Sequence, residues 1–186
     1  MHRLAMRVIK YFVGKKYPDR FIGDVLEVGS CEVAGTVRPA FVNARTYVGV
    51  DWRPGPCVDV VSLAHKMPFK PESFDVVVST SMLEHDPYWR ESLTKMVDVL
   101  KPGGALLLTW GGKYNKPHCL TTAPDGKFHP LPLSDVIQLV EKLGIRINAA
   151  KAERDFKFNR KLVAEHPRED IGGVALMGFK EEKQRE

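Results

Sequence analysis

Cysteine is scarce in this sequence: Cys31, Cys57 and Cys119 lie far apart, with no Cys-x-x-Cys pair. That pattern argues against a disulfide framework and a zinc site, and it fits a reducing, cytoplasmic setting with no metal. Long apolar runs are also missing. Nothing approaches the ~20 apolar residues of a membrane span. Between Met1 and Lys16, Arg7 and Lys10 interrupt the apolar residues before the core of a signal sequence can form. A third absence concerns glycine. A nicotinamide-dependent oxidoreductase needs Gly-x-Gly-x-x-Gly/Ala after its first strand, yet only Gly29 and Ala34 comply, and Cys31 stands where backbone would meet the pyrophosphate. No internal repeat is present.

What is there fits one α/β domain, 1–186: 186 residues bury one substantial core and are too few for two ordinary domains. Hydrophobic residues make up 44% and charged residues 27%, a globular balance, and the formal charge is +5. Such a mildly basic chain permits an anionic partner without requiring one.

The most telling segment is Val25-Leu26-Glu27-Val28-Gly29-Ser30, an apolar run that ends in a carboxylate and a glycine, as a nucleotide-binding strand does where it meets its ligand loop. Tyr47 to Asp51 repeats the pattern about 20 residues on, with a second acid where a ribose diol could be gripped. Two acids at two strand ends suggest an adenosine ligand.

The remaining elements follow from periodicity. Leu4, Ala5, Val8, Ile9, Phe12 and Val13 share one helical face opposite Arg3, Arg7 and Lys10, which predicts a covering helix within residues 1–20, with a membrane-surface helix as the rival. Thr36 to Asn43 has room for a short helix, Val58 to Val61 for a third strand and Phe74 to Ser79 for a fourth. Pro87 to Leu100 is expected as a helix with Leu93, Met96, Val97 and Leu100 inward, followed by strand Ala105 to Trp110. Residues 111–132, rich in Gly, Pro, Lys and His, are expected as a loop over the strand ends. Ser134 is expected to cap a helix from Asp135 to Leu143, with strand six at Ile145 to Ala150, an insertion at 151–170, a last strand Gly173 to Phe179 and a frayed charged tail, 181–186.

Within this order stand Met82-Leu83-Glu84-His85 and Leu100-Lys101-Pro102-Gly103-Gly104. Together with the acid-x-Gly loop at Glu27 and Gly29 and the second-strand acid Asp51, they make residues of roughly 20 to 145 resemble the class I S-adenosyl-L-methionine-dependent methyltransferases, in particular the type 11 group. The resemblance implies a Rossmann-like, doubly wound, three-layer α/β/α fold on a mostly parallel seven-stranded sheet whose last strand is antiparallel.

The resemblance also assigns roles. Asp51 would clamp the ribose, Trp52 would pack beside adenine or else serve as a surface aromatic, and Glu27, Gly29 and Ser30 would form the first cofactor loop. Leu63 and Ala64 would flank adenine, and Ser79 would lie where donor meets acceptor. Glu84 and His85 would mostly support the loop, with His85 as a candidate base. His118 and His129, beside Asp125 in the long loop, are further catalytic candidates. Lys101 to Gly104 would be a tight helix-to-strand turn. The chain departs from the pattern at Cys31 and Val33, where small residues are usual, and at Leu63, where an acid would receive the adenine amino group. One lost neutral hydrogen bond costs about 0.5 to 1.5 kcal/mol.

The expected reaction is methyl transfer from S-adenosylmethionine to a small molecule or sugar. Lys113, Lys116 and Lys127 would favour an anionic acceptor. The four-residue motif of amide-type nitrogen methylators is absent after strand four. The alternatives are a non-catalytic binding or assembly module, and a nucleic-acid methyltransferase, which the aromatic and basic run Arg154 to Lys161 would suit, although such a run is more often an edge strand or amphipathic helix with its charges in water.

Overall fold

Buried parallel strands carry apolar side chains on both faces, and the runs around Leu26, Val50, Val77 and Leu107 do so here, each of these residues being fully buried. The computed structural model describes residues 3–32, 35–111, 121, 123–153 and 173–182. Its strands are β1 (Gly23–Val28), β2 (Ala44–Asp51), β3 (Val60–Val61), β4 (Phe74–Thr80), β5 (Leu100–Gly111), β6 (Ile145–Glu153) and β7 (Gly173–Lys180). They form one sheet in the order β3-β2-β1-β4-β5-β7-β6. Neighbours among β1 to β5 pair in parallel, whereas β7 lies antiparallel between β5 and β6.

Both faces of the sheet are covered, giving the three layers anticipated. On one side α2 (Trp89–Val99) and α3 (Leu133–Lys142) pack Leu93, Met96, Val97, Val136 and Val140 against Leu26, Val77 and Leu106. On the other, α1 (Arg3–Tyr11) runs into a π-helical turn, Phe12–Lys16, and delivers Val8, Ile9, Phe12 and Val13 onto Val25, Val76 and Leu107. The amphipathic start of the chain therefore covers the sheet. Its apolar side is consumed there, which removes the rival reading of a helix that sinks an apolar face into a membrane.

Several boundaries differ from expectation for local reasons. Thr36 to Asn43 contains only the 3-10 turn Arg38–Ala40, because Val37 and Phe41 both plug into the α1 face and leave too few residues for a helix. The third strand is reduced to Val60–Val61. The α3 helix begins at Leu133 after Pro132, without a side-chain cap, while the Ser134 hydroxyl turns to Asp135 Oδ1 at 3.1 Å. Lys101 to Gly104 is not a turn before β5 but a bulge within it: Leu100 pairs with Phe74, and Ala105 pairs with Val76. β6 extends to Glu153, so its last three residues are strand rather than insertion; residues 154–172 lie outside the described set. Glu181, expected to fray, donates its N–H to the Gly144 carbonyl at 2.8 Å. Among the described residues no helix is long and apolar enough to cross a membrane.

Candidate active site

The carboxyl ends of β1, β2 and β4 meet at one edge of the sheet, the side on which open α/β sheets take their ligands. The chain leaving β1 curls toward β2, with the N–H groups of Gly29 and Ser30 both donating to the Val50 carbonyl, at 2.8 and 3.1 Å. Gly29 takes φ +81°, and a Cβ there would meet the Cβ and Cγ of Met82 at 2.5 Å. Glycine is thus required on two counts, conformation and close approach.

Asp51 ends β2 with 9% exposure, and its carboxylate joins two loops. Oδ2 accepts the Cys31 N–H at 3.1 Å, and Oδ1 accepts the Arg53 N–H at 3.3 Å. The loops touch further along, where Glu32 N–H donates to the Pro56 carbonyl at 3.1 Å and the Cys31 thiol packs on Gly55. Cys31, one of the two departures from small residues, is therefore accommodated by a glycine opposite it. Val33, the other, lies outside the described residues.

Glu27 is 2% exposed on the α1 face. Gly49 stands opposite it in register, where a Cβ would meet the Cys57 carbonyl and Ser30, and Glu27 reaches Tyr47 two residues earlier, whose hydroxyl donates to Oε2 at 2.8 Å. Burial pushes the Glu27 carboxyl up to about 7, against the lowering effect of the Tyr47 hydroxyl and the nearby Arg38. Burial and the adjacent Glu27 likewise raise the Tyr47 phenol. Arg38 stacks 4.7 Å from the Tyr47 ring centroid and pairs with Asp59 at 2.6 Å. Sequence reasoning missed Tyr47, Arg38 and Asp59, because their roles depend on strand register.

The other expected cofactor residues lie along the same edge. Trp52 follows Asp51 with 38% of its surface exposed and the Arg53 guanidinium 5.9 Å from its ring. Ser62 donates its N–H to the Asp51 carbonyl at 2.8 Å, which brings Leu63 alongside, at the start of the 3-10 turn Ala64–Lys66. Ala64 packs on the core. Ser79 lies within β4, paired in register with Val28, and is fully buried. Its hydroxyl, like those of Ser30 and Thr109, has no hydrogen-bond partner among the described residues. Buried hydroxyls ordinarily find partners, so three orphans at one sheet edge stand out.

Beyond β4 the chain turns through Ser81 at φ +52°, which swings Met82 over Gly29. Glu84 is 1% exposed and ties three segments together: its Oε1 accepts the Gly111 N–H at 2.8 Å, and its carbonyl accepts the His129 N–H at 2.7 Å. His85, 6% exposed, packs its ring edge-on to Phe128 with centroids 5.7 Å apart. Asp86, unforeseen, accepts the Tyr88 N–H at 2.8 Å and the Ser92 hydroxyl, anchoring the start of α2. His129 Nε2 lies 3.0 Å from Asp125 Oδ2. Burial would raise the Asp125 carboxyl, but the Lys127 N–H and His129 bring it below its usual range. His118, Lys113 and Lys116 lie outside the described residues. Glu27, Gly29, Ser30, Asp51, Trp52, Leu63, Ala64 and Ser79 are thus gathered at one edge, and His85 with His129 joins them from the β4–β5 side. No group of three His, Cys, Asp or Glu side chains could hold a metal ion among the described residues.

Residues 26–108 match the family model described as a methyltransferase domain. No curated protein sequence matches the chain. Among solved structures, a SAM-dependent methyltransferase from Methanosarcina mazei is 15% identical with a TM-score of 0.60, over 86% of this chain and 93% of its own. The Burkholderia thailandensis 1,6-didemethyltoxoflavin-N1-methyltransferase, solved with its substrate and S-adenosylhomocysteine, is 13% identical with a TM-score of 0.65, over 96% of this chain and 79% of its own. The [4+2]-cyclase SpnF is 16% identical with a TM-score of 0.66, over 95% of this chain and 82% of its own. At such identities the likeness is one of fold, and SpnF shows the fold in a protein named for a different reaction. The strand-end acids and the Leu-Glu-His segment fall inside the matched segment, so over residues 26–108 the chain is similar to the methyltransferase domain family in the same residues that line the candidate site.

Proposed function

We propose that this protein transfers the methyl group of S-adenosylmethionine to a small-molecule or sugar acceptor, with the donor held by the first two strand ends. The observation that carries the reading is the Asp51 carboxylate, fixed by two backbone N–H groups. Each of its oxygens has used one acceptor position and keeps another, so both hydroxyls of a ribose can be received at once. The other residues fit the donor as well. Gly29 presents bare backbone at the end of β1, Trp52 and Leu63 would border a slot for adenine, and the orphaned hydroxyls of Ser30 and Ser79 can serve polar atoms. Glu27, when ionised, would attract the ammonium end.

The bound donor supplies an electrophilic methyl group on sulfur that moves by in-line displacement. The protein's task is then alignment and exclusion of water. Ser79 would border the reacting centre, Glu84 would hold the β4 loop to β5 and to residue 129, and His85 or His129 would take a proton where the acceptor must lose one. The loop lysines, Lys127 among them, favour an acceptor that carries negative charge.

Calorimetry with S-adenosylmethionine, followed by turnover on small hydroxyl- and amine-bearing acceptors, neutral and anionic, tests the proposal. Donor binding with turnover is the expected outcome. A second reading, a non-catalytic binding module, draws on Asp51 already stapling two loops, on Met82 covering Gly29 and on the missing acid at Leu63. It predicts a folded protein with no donor affinity. A nucleic-acid acceptor would instead show affinity that falls steeply with salt.

A further inference from the structure

The whole formal charge of the molecule sits on one surface segment. Six of the 28 Lys and Arg residues (Arg3, Arg7, Lys10, Lys15, Lys16 and Arg20) and one of the 23 Asp and Glu residues (Asp19) fall within residues 1–20, so the remaining 22 of each sign cancel and the net +5 belongs here. Packing turns these charges outward. Ala5, Val8, Ile9, Phe12 and Val13 are consumed by the sheet, each at most 8% exposed, which leaves Arg7, Lys10 and Lys15 on the outer face. Lys16 lies over the Tyr17 ring at 5.4 Å. Arg20 lies 4.2 Å from the Phe179 ring and donates to the Gly103 carbonyl.

Elsewhere several cations are neutralised: Arg38 by Asp59, Arg45 by Asp24, Lys95 by Asp98 and Lys101 by Asp75. The exposed Lys66, Lys70 and Lys142 form no ion pair among the described residues and are offset in the overall count by acids in the rest of the chain. Arg7, Lys10 and Lys15 form no ion pair among the described residues. Uncompensated like charges on one face are a standing attraction for a polyanion.

We propose that this face docks the protein on an anionic lipid surface, electrostatically and without insertion. Its apolar side chains are already buried, so nothing remains to sink between acyl chains. The same composition disfavours a nucleic acid. Residues 3–20 hold no Ser, Thr, Asn or Gln to bond to bases or sugars. Neither Tyr11 nor Tyr17 offers a free ring for stacking, since both lie against Phe12, with centroids 5.5 and 6.4 Å away. What is left is charge alone, which suits a diffuse sheet of anionic headgroups. The inference is independent of the proposed methyl transfer.

Co-sedimentation with vesicles tests it. The protein should bind phosphatidylcholine vesicles containing one-third phosphatidylserine, release them as salt rises, and ignore pure phosphatidylcholine. Each cation near such a surface is worth about fivefold in partitioning. The triple variant Arg7→Glu, Lys10→Glu, Lys15→Glu should therefore lose binding by about a hundredfold or more, with its unfolding midpoint unchanged. A control variant, Lys66→Glu, Lys70→Glu, Lys142→Glu, reverses three exposed lysines on the α2 and α3 side and should still bind. Equal binding to both vesicle types, loss in the control as large as in the triple variant, or capture of an RNA oligonucleotide at a salt concentration that releases the vesicles would each overturn the proposal.

Discussion

The two ends of the same strands handle charge in opposite ways. At the amino ends, Asp24 on β1, Arg45 on β2, Asp75 on β4 and Lys101 on β5 form a closed network. Asp24 accepts from Arg45 and Thr46, Asp75 accepts from Lys101 at 2.9 Å, and the Asp24 N–H donates to Asp75 Oδ2 at 2.8 Å. The hydrogen bonds from Arg45 and Thr46 pull the Asp24 carboxyl down to about 2, so its stabilising contribution is full above the ordinary carboxylate range and is lost only as pH falls through that value. At the carboxyl ends, Glu27 faces a phenol and its carboxyl is pushed up to about 7, Asp51 is held by backbone N–H groups, and three hydroxyls lack partners among the described residues. One end is satisfied within the protein, and the other keeps polar capacity in reserve. The lesson is that acids of equal rank in the sequence can be sorted by whether a cation answers them in the fold.

The largest expected effect breaks the reserved end. Asp51→Ala should weaken S-adenosylmethionine by about 1.5 to 3 kcal/mol, the worth of charge-assisted hydrogen bonds. Alanine also releases the loop N–H groups of Cys31 and Arg53. Asp51→Asn, which removes the charge with less disturbance, should still lose most of the affinity in calorimetry. An unchanged donor affinity in both variants would undo the ribose assignment.

Breaking the satisfied end should do the reverse. Asp75→Ala leaves Lys101 only Asp24, 3.7 Å away, and strands the Asp24 N–H, and should cost about 1 to 2 kcal/mol in urea denaturation while leaving donor affinity as it was. A fall in donor affinity equal to that of Asp51→Asn would erase the contrast between the ends.

A pH series sharpens it further. In the folded chain Glu27 keeps its proton up to about 7, whereas it would lose it near 4.5 when unfolded, so stability from this group declines as pH rises from 4.5 to 7. Glu27→Gln should remove that decline. If Glu27 meets the donor's ammonium, parental affinity should rise severalfold between pH 6 and pH 8, while that of the Gln variant stays level.

The smallest effect concerns Leu63, which precedes the 3-10 turn beside Asp51. Leu63→Asp should tighten the donor by up to about tenfold through one restored acceptor for adenine. Weaker binding in a stable variant would mean that residue 63 faces away from adenine.

Much of the fold was legible because it rests on local patterns. Parallel strands buried on both faces announce themselves as apolar runs, and α1 shows its buried face at helical spacing. Segment 36–43 misled because Val37 and Phe41 stand four apart, as on a helix, yet each plugs the α1 face from a chain that makes only one tight turn. In the candidate site, Glu27, Gly29 and Asp51 stood out because each ends or follows an apolar run. Tyr47 and Met82 did not. The first reaches Glu27 through the register of β1 against β2, and the second covers Gly29 because Ser81 adopts a positive φ. Register and a single backbone angle leave no trace in residue spacing.

The position of β7 has a consequence for how the protein is made. β6 is synthesised first, but among the described residues its backbone pairs only with β7, and β7 alone joins it to β5. Until residues 173–180 leave the ribosome, β6 has no place in the sheet and the flank of β5 stays open. The final strand is thus a keystone: a nascent chain ending before it would present two unpaired edges, the situation in which partly folded sheets associate with one another. Completion of the sheet and protection of both edges therefore arrive together, with β7.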